Sequence, residues 1–191
     1  MLDLMILEKL SAWIEENVAP SIDFLLKPDN KYMDAATYEK EYITPAVYPL
    51  YIPPKTHRGE DSKVPAIIVQ LGKMEEDMLK NEERIPIQLG LVIWNPGTYG
   101  EEETDGEKAQ TFARNYDGWK DILLMIDVIK RKLQSAVYIE GFKLDKATKM
   151  EYGMVNTDEE ITRYPYWGGF LTFTLTLGEA ARVNTAFDDY L

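Results

Sequence analysis

Apolar positions along the chain fall into two regular patterns, and both lie between residues 111 and 178. Phe112, Tyr116, Trp119, Leu123, Ile126, Ile129 and Leu133 recur at steps of three and four. That spacing predicts one long amphipathic helix opening at Thr111, with these side chains stacked on one side. Lys120, Asp127, Lys130 and Arg131 flank or oppose that side. Further on, Leu171, Phe173, Leu175 and Leu177 alternate with Thr172, Thr174 and Thr176. A period of two predicts a strand whose leucine-rich face is buried and whose threonine face meets water or a partner. An apolar helix stripe and an apolar sheet face can bury each other, so this pair is the expected core.

The remaining elements follow in chain order. Ile6, Leu10, Trp13, Ile14 and Val18 predict a first helix over residues 3–17, with Asp3 as N-cap and Pro20 at the exit. One more helical turn is expected around residues 21–26, before Pro28-Asp29-Asn30 breaks the pattern. Residues 31–54 carry Tyr32, Tyr38, Tyr42, Tyr48 and Tyr51 and close on Pro53-Pro54. They read as an irregular arm with one strand over 46–52, either packed on the surface or reaching a neighbouring subunit. Residues 55–63 are polar and expected to be exposed, 64–71 form a compact apolar strand, and 75–83 form a charged connection. Ile85, Ile87, Leu89, Leu91 and Ile93 then alternate with Pro86, Gln88, Gly90, Val92 and Trp94, a second clear strand. Asn95-Pro96-Gly97 ends it with turn chemistry, and 101–107 read as an acidic loop. Residues 137–144 are a further strand, 149–155 its hairpin partner or an excursion, and 179–191 a mobile or partner-bound tail.

Strands that cluster rather than alternate with helices indicate an α+β fold. The expectation is a mainly antiparallel sheet packed by one long helix, with an N-terminal helix and an irregular Tyr/Pro-rich arm. A single domain is expected over 1–191. It divides into helix and arm (1–63), core sheet plus helix (64–178) and tail (179–191).

Composition narrows the function classes. A hydrophobic fraction of 45% with 12% aromatics is that of a folded chain rather than a disordered one. A formal charge of −12 speaks against nucleic acid as a tightly held ligand, because phosphate binding needs clustered Lys and Arg. No sequence-specific nucleic-acid binding is expected. Without cysteine there is no disulfide framework, thiol nucleophile or thiolate metal site. The opening Met-Leu-Asp-Leu-Met-Ile-Leu lacks a basic signal-peptide start, and Glu8, Lys9, Glu15 and Glu16 interrupt the apolar run. No segment reaches the ~18 apolar residues of a membrane span, so a soluble protein with no membrane partner is expected.

Candidate chemistry is sparse. His57, the one histidine, lies in the polar run Lys55-Thr56-His57-Arg58-Gly59, with no apolar anchor to orient it as a catalytic group must be oriented. Nucleophile-elbow, phosphate-loop, dinucleotide and zinc-helix motifs are absent. The run Glu101-Glu102-Glu103-Thr104-Asp105-Gly106-Glu107 suggests a hard cation, yet it lacks the alternating acidic positions and distant closing Glu of a calcium loop. No catalytic, cofactor-binding or metal residue is therefore assigned, and no cofactor is expected. With 33 acidic residues a carboxylate pair in an enzyme or small-ligand site is the rival reading. One feature exceeds this background. Leu124 and Val128 fall opposite the predicted stripe, with Met125 between the two faces and Lys120 and Arg131 among the surrounding charges. An apolar centre with a charged rim is what a subunit contact looks like, and also what a helix covered on both sides looks like.

Three segments carry a family resemblance: Gly97-Thr98-Tyr99-Gly100 before acidic residues; Asn115-Tyr116-Asp117-Gly118-Trp119-Lys120 and the helix after it; and Tyr164-Pro165-Tyr166-Trp167-Gly168-Gly169 before the final strand. In pattern, residues 64–178 resemble small proteins from the head–tail gene cluster of long-tailed phages and prophages of Gram-positive bacteria, specifically the tail terminator, or tail completion, group. The Tyr-Pro-Tyr-Trp segment and the helix start are its specific parts. The resemblance implies a non-enzymatic α+β subunit that forms a closed ring, expected to be a hexamer, on the end of the tail tube. Its partners would be copies of itself, the tail-tube protein and the head connector. Its location would be the virion, or the bacterial host cytoplasm during assembly. Another connector component or a tail-tube-like subunit is the nearest alternative.

Overall fold

The structure, a computed structural model, describes residues 2–53, 64–72, 84–104, 107–136, 138–155 and 164–177. Helix α1 (Leu2–Asn17) passes through a 3-10 turn (Ala19–Ser21) into β1 (Leu25–Leu26), which pairs with β2 (Tyr42–Ile43). Then come β3 (Ala46–Pro49), β4 (Ala66–Leu71), β5 (Arg84–Trp94), the hairpin β6 (Thr98–Thr104) and β7 (Glu107–Ala113), and helix α2 (Gly118–Ser135). The chain closes through β8 (Tyr138–Ile139), β9 (Phe142–Leu144), β10 (Glu151–Met154) and β11 (Tyr166–Leu177). This is the α+β fold that the clustering of strands predicts.

The main sheet has seven strands in the order β3-β4-β5-β11-β9-β8, with β10 also on β11. All its pairings are antiparallel except β3 with β4. β5 and β11 form its spine, paired from Tyr166 opposite Trp94 to Thr176 opposite Arg84. Their period-two patterns lie in register. Val69, Leu89 and Leu171 make one cross-strand row, and Leu71, Ile87 and Phe173 the next. On that face α1 contributes Ile6, Leu7, Leu10 and Ile14, Val18 follows it, and α2 contributes Ile122, Met125, Ile126, Ile129 and Leu133, all in one buried cluster. Two helices rather than one thus cover the sheet. The opposite face is mixed: Gln88 is exposed, Gln70 and Thr172 are half-buried, Thr174 is buried, and Ile68, Gly90 and Phe170 form the next row, so the threonine side is wet only in part.

Several expectations are corrected. α1 begins before Asp3, so Asp3 is a helical residue and not the cap. The helical turn expected over 21–26 shortens to the 3-10 turn, because Leu25 and Leu26 pair with the arm. The arm is partly regular: its strand spans Ala46–Pro49 and belongs to the main sheet, which therefore starts before residue 64. Residues 137–144 are no single strand, for Glu140 (φ 51°) and Gly141 (φ 92°) turn β8 back onto β9. β10 pairs with β11 and not with that hairpin.

The largest correction concerns α2, which starts at Gly118 and not at Thr111. Phe112 lies in β7 and Tyr116 stands 67% exposed before the helix. The buried face is Gly118, Ile122, Met125, Ile126, Ile129 and Leu133, so Trp119 and Leu123 point outward. The C-terminal half of the predicted stripe holds, while the N-terminal half is displaced by one residue, roughly 100° of helix. Close approach explains the displacement. A Cβ on Gly118 would stand 2.2 Å from Trp167 Nε1, and one on Gly169 would stand 2.5 Å from Ile122 Cγ2. Only a glycine on each side admits the indole and the isoleucine, so the small residue of the first turn faces the sheet.

Candidate assembly surfaces

One residue organises the end of the sheet from which the hairpin departs. The Asn95 backbone N–H donates to Pro165 O (2.9 Å), and its carbonyl accepts from Trp167 Nε1 (3.1 Å). Its side-chain Nδ2 donates to Asp121 Oδ2 (2.5 Å), and its Oδ1 accepts from the Gly97 N–H (3.1 Å). The Tyr164 hydroxyl donates to Pro96 O. β5, β11, α2 and the hairpin root are thus pinned through one asparagine. Burial raises the Asp121 carboxyl above its ordinary range, and Asp117 adds to this, while the Asn95 amide and Lys120 pull it down.

Above this junction an aromatic cluster joins hairpin, arm and sheet. Tyr99 stacks on Tyr38 (4.5 Å between centroids) and lies 5.1 Å from Phe112. Tyr32 meets both Trp94 and Phe112 edge-on, and its carbonyl accepts the Tyr99 hydroxyl (2.7 Å). Tyr32 and Tyr38 therefore pack on their own chain. Burial and the neighbouring Tyr38 hydroxyl push the Tyr99 phenol well above its usual range.

Beyond the cluster no other described strand pairs with the hairpin. The predicted acidic loop is instead the distal half of a seven-pair antiparallel ladder, from Thr98 opposite Ala113 to Thr104 opposite Glu107. Glu101, Glu102, Glu103, Lys108, Ala109 and Gln110 are all exposed, so both faces of this half meet solvent. Tyr99 lies opposite Phe112 across the acidic run, with Thr98 and Thr111 beside them, and these β-formers were the available signal.

The four predicted contact residues lie on α2 but do not form one patch. Leu124 is 55% exposed. Lys120 and Arg131 are exposed too, paired with Asp117 (2.9 Å) and Asp127 (3.0 Å). Val128 is half-buried against the core and Met125 is fully buried, so the helix has no second apolar face centred on them. Instead Leu124 belongs to an exposed apolar group at the start of the helix with Trp119 and Leu123, which are 42% and 39% exposed. Further exposed side chains mark opposite margins of the sheet. Leu50 and Tyr51 follow β3 at one margin, and Tyr138, Tyr152 and Val155 lie on or beside β8 and β10 at the other. Lys130 Nζ caps the Tyr152 ring at 4.0 Å.

An open cleft of about 1000 Å³ lies between arm and sheet end, with Tyr32, Trp94 and Tyr166 in its walls and Glu15, Lys27 and Asp29 at its rim. Lys27 is held by Glu41 (2.6 Å). Among the described residues no group of three acidic or histidine side chains is placed to hold a metal ion. No described helix is long and apolar enough to cross a membrane. His57 and residues 55–63, 75–83 and 179–191 lie outside the described residues. No protein-family model matches the chain, and no curated protein matches it.

Proposed function

We propose that the chain is a structural subunit that closes into a ring, caps the tail tube of a long-tailed phage or prophage, and joins it to the head connector. The observation carrying this reading is the pair of unlike margins of the sheet, each bearing exposed large apolar side chains: Leu50 and Tyr51 at one, Tyr138, Tyr152 and Val155 at the other. Contiguous apolar exposure marks interaction surfaces. Two unlike surfaces on opposite sides of one subunit associate head-to-tail, and a head-to-tail contact that closes makes a ring of fixed size. Capping is then geometry: the ring presents one face to the tube and an unlike face to the connector. The charge of −12 per copy suits a lumen that DNA crosses without adhering. Electron microscopy of the purified chain tests the reading. Annular particles of one diameter are expected, and particles no larger than a single subunit at every concentration overturn it.

The cleft favours a second reading, a small-ligand site with aromatic walls and carboxylates at its rim. Asp29→Asn with Glu15→Gln would then abolish ligand binding while leaving particle size unchanged.

A further inference from the structure

We propose that the β6–β7 hairpin of one copy adds edge-on to strand β10 of a second copy, seating its glutamates among that copy's lysines. The inference rests on the ring reading and names the contact that closes it.

The hairpin lacks what a hairpin needs. An isolated two-stranded ribbon is at best marginally stable in water and requires a third strand or a packed face. Among the described residues the aromatic cluster supplies a packed face at the root, the distal half is exposed on both sides, and β6 and β7 pair only with each other.

β10 offers the complementary edge. Val155 N–H donates to Gly168 O, and Glu151 N–H to Thr172 Oγ1, so residues 151, 153 and 155 turn their backbone groups toward β11. By the alternation of a strand, Tyr152 and Met154 turn theirs outward. Among the described residues that side of β10 pairs with nothing. The β3 edge is the poorer acceptor of a strand. There Ala46 and Leu50 donate inward to Pro65 O and Val69 O, leaving Val47 and Pro49 on the outer side, and Pro49 has no N–H.

Charge selects the pairing. The hairpin carries Glu101, Glu102, Glu103, Asp105 and Glu107 against Lys108. Residues 130–150 reverse the sign of this acidic chain, with Lys130, Arg131, Lys132, Lys143, Lys146 and Lys149 against Glu140 and Asp145. Lys143, Lys146 and Lys149 are exposed and form no ion pair among the described residues. The basic segment flanks β10 and lies toward the Arg84 end of the sheet, where β9 pairs with Leu175–Leu177. The hairpin roots at the Trp94 end, whereas Lys143 lies across β11 from Arg84, ten steps of β5 away or about 33 Å at strand rise. β10 lies between them, opposite Gln88–Leu91, with the basic side chains at its Glu151 end. A hairpin of seven pairs reaches those lysines on a second copy, head to tail.

Sedimentation of charge-exchanged full chains tests this. One variant carries Glu101→Lys, Glu102→Lys and Glu103→Lys; the other carries Lys143→Glu, Lys146→Glu and Lys149→Glu. All six sites are exposed, and circular dichroism verifies folding. Each variant alone should associate about tenfold or more weakly than the parent, and their mixture should recover association. Tyr152→Pro, which removes an outward N–H, should weaken association more than Tyr152→Ala. Variants that associate like the parent, or a mixture that fails to recover, overturn the hairpin contact and leave the ring reading standing. A parent chain that is monomeric throughout overturns both.

Discussion

Substituting Gly169 by Ala probes the joint that places α2 on the sheet. The added Cβ would lie 2.5 Å from Ile122 Cγ2 and 3.1 Å from Gly153 O, against an ordinary contact of 3.4 Å or more. Ile122 is fully buried and β10 holds the other side, so neither neighbour has free space. Overpacking of this kind costs about 1–3 kcal/mol. Replacing Gly by Ala inside a strand returns roughly 0.5–1 kcal/mol of backbone entropy. The net expectation is a loss of about 1–2 kcal/mol. Ile122→Ala alone should cost about 2–5 kcal/mol by opening a cavity. In the double variant the new methyl occupies part of that cavity, so the combined loss should fall short of the sum by about 1–2 kcal/mol. Urea unfolding followed by fluorescence of the buried Trp94 and Trp167 reads all four corners of the cycle. Additivity to within about 0.5 kcal/mol would refute the glycine–isoleucine joint.

Three other outcomes are expected. Burial raises the Asp121 carboxyl, so its charged form costs the native state stability at neutral pH, and that cost is relieved as pH falls through the raised value. Asp121→Asn should therefore remove a gain in stability on mild acidification that the parent shows; urea midpoints across pH check it, and identical profiles contradict it. Leu124→Asp should leave the fold intact but weaken association, whereas Val128→Asp, half-buried against the core, should destabilise by about 1–3 kcal/mol. Thermal melts beside sedimentation separate the two, and equal loss of stability would sink the distinction. Leu50 holds a left-handed backbone (φ 68°) with its side chain exposed. Leu50→Gly should hold or raise monomer stability by up to about 1 kcal/mol while weakening association, and a destabilised variant would show that the side chain belongs to the core.

The sheet was legible because its two longest strands keep strict period two over Ile85–Ile93 and Leu171–Leu177, and one buried face fixes their register. Both helices were legible as elements. The phase of α2 was not, because its first turn is set by Gly118 receiving Trp167, a contact between residues far apart in sequence. The hairpin was missed because glutamates are weak strand formers and the ladder that holds them is anchored by Tyr99 and Phe112 against the arm. Of the predicted contact residues, Leu124, Lys120 and Arg131 are on the surface. Val128 is half-buried against the core rather than exposed beside Leu124. The two-sided exposure of the hairpin and the edge of β10 left unpaired among the described residues are properties of pairing, which no local pattern encodes.

Native mass spectrometry of the full chain at rising concentration tests the proposed self-association of fixed geometry. One dominant closed stoichiometry without intermediate copies is the expected spectrum. A monomer at every concentration, or an open ladder of unlimited sizes, would contradict it.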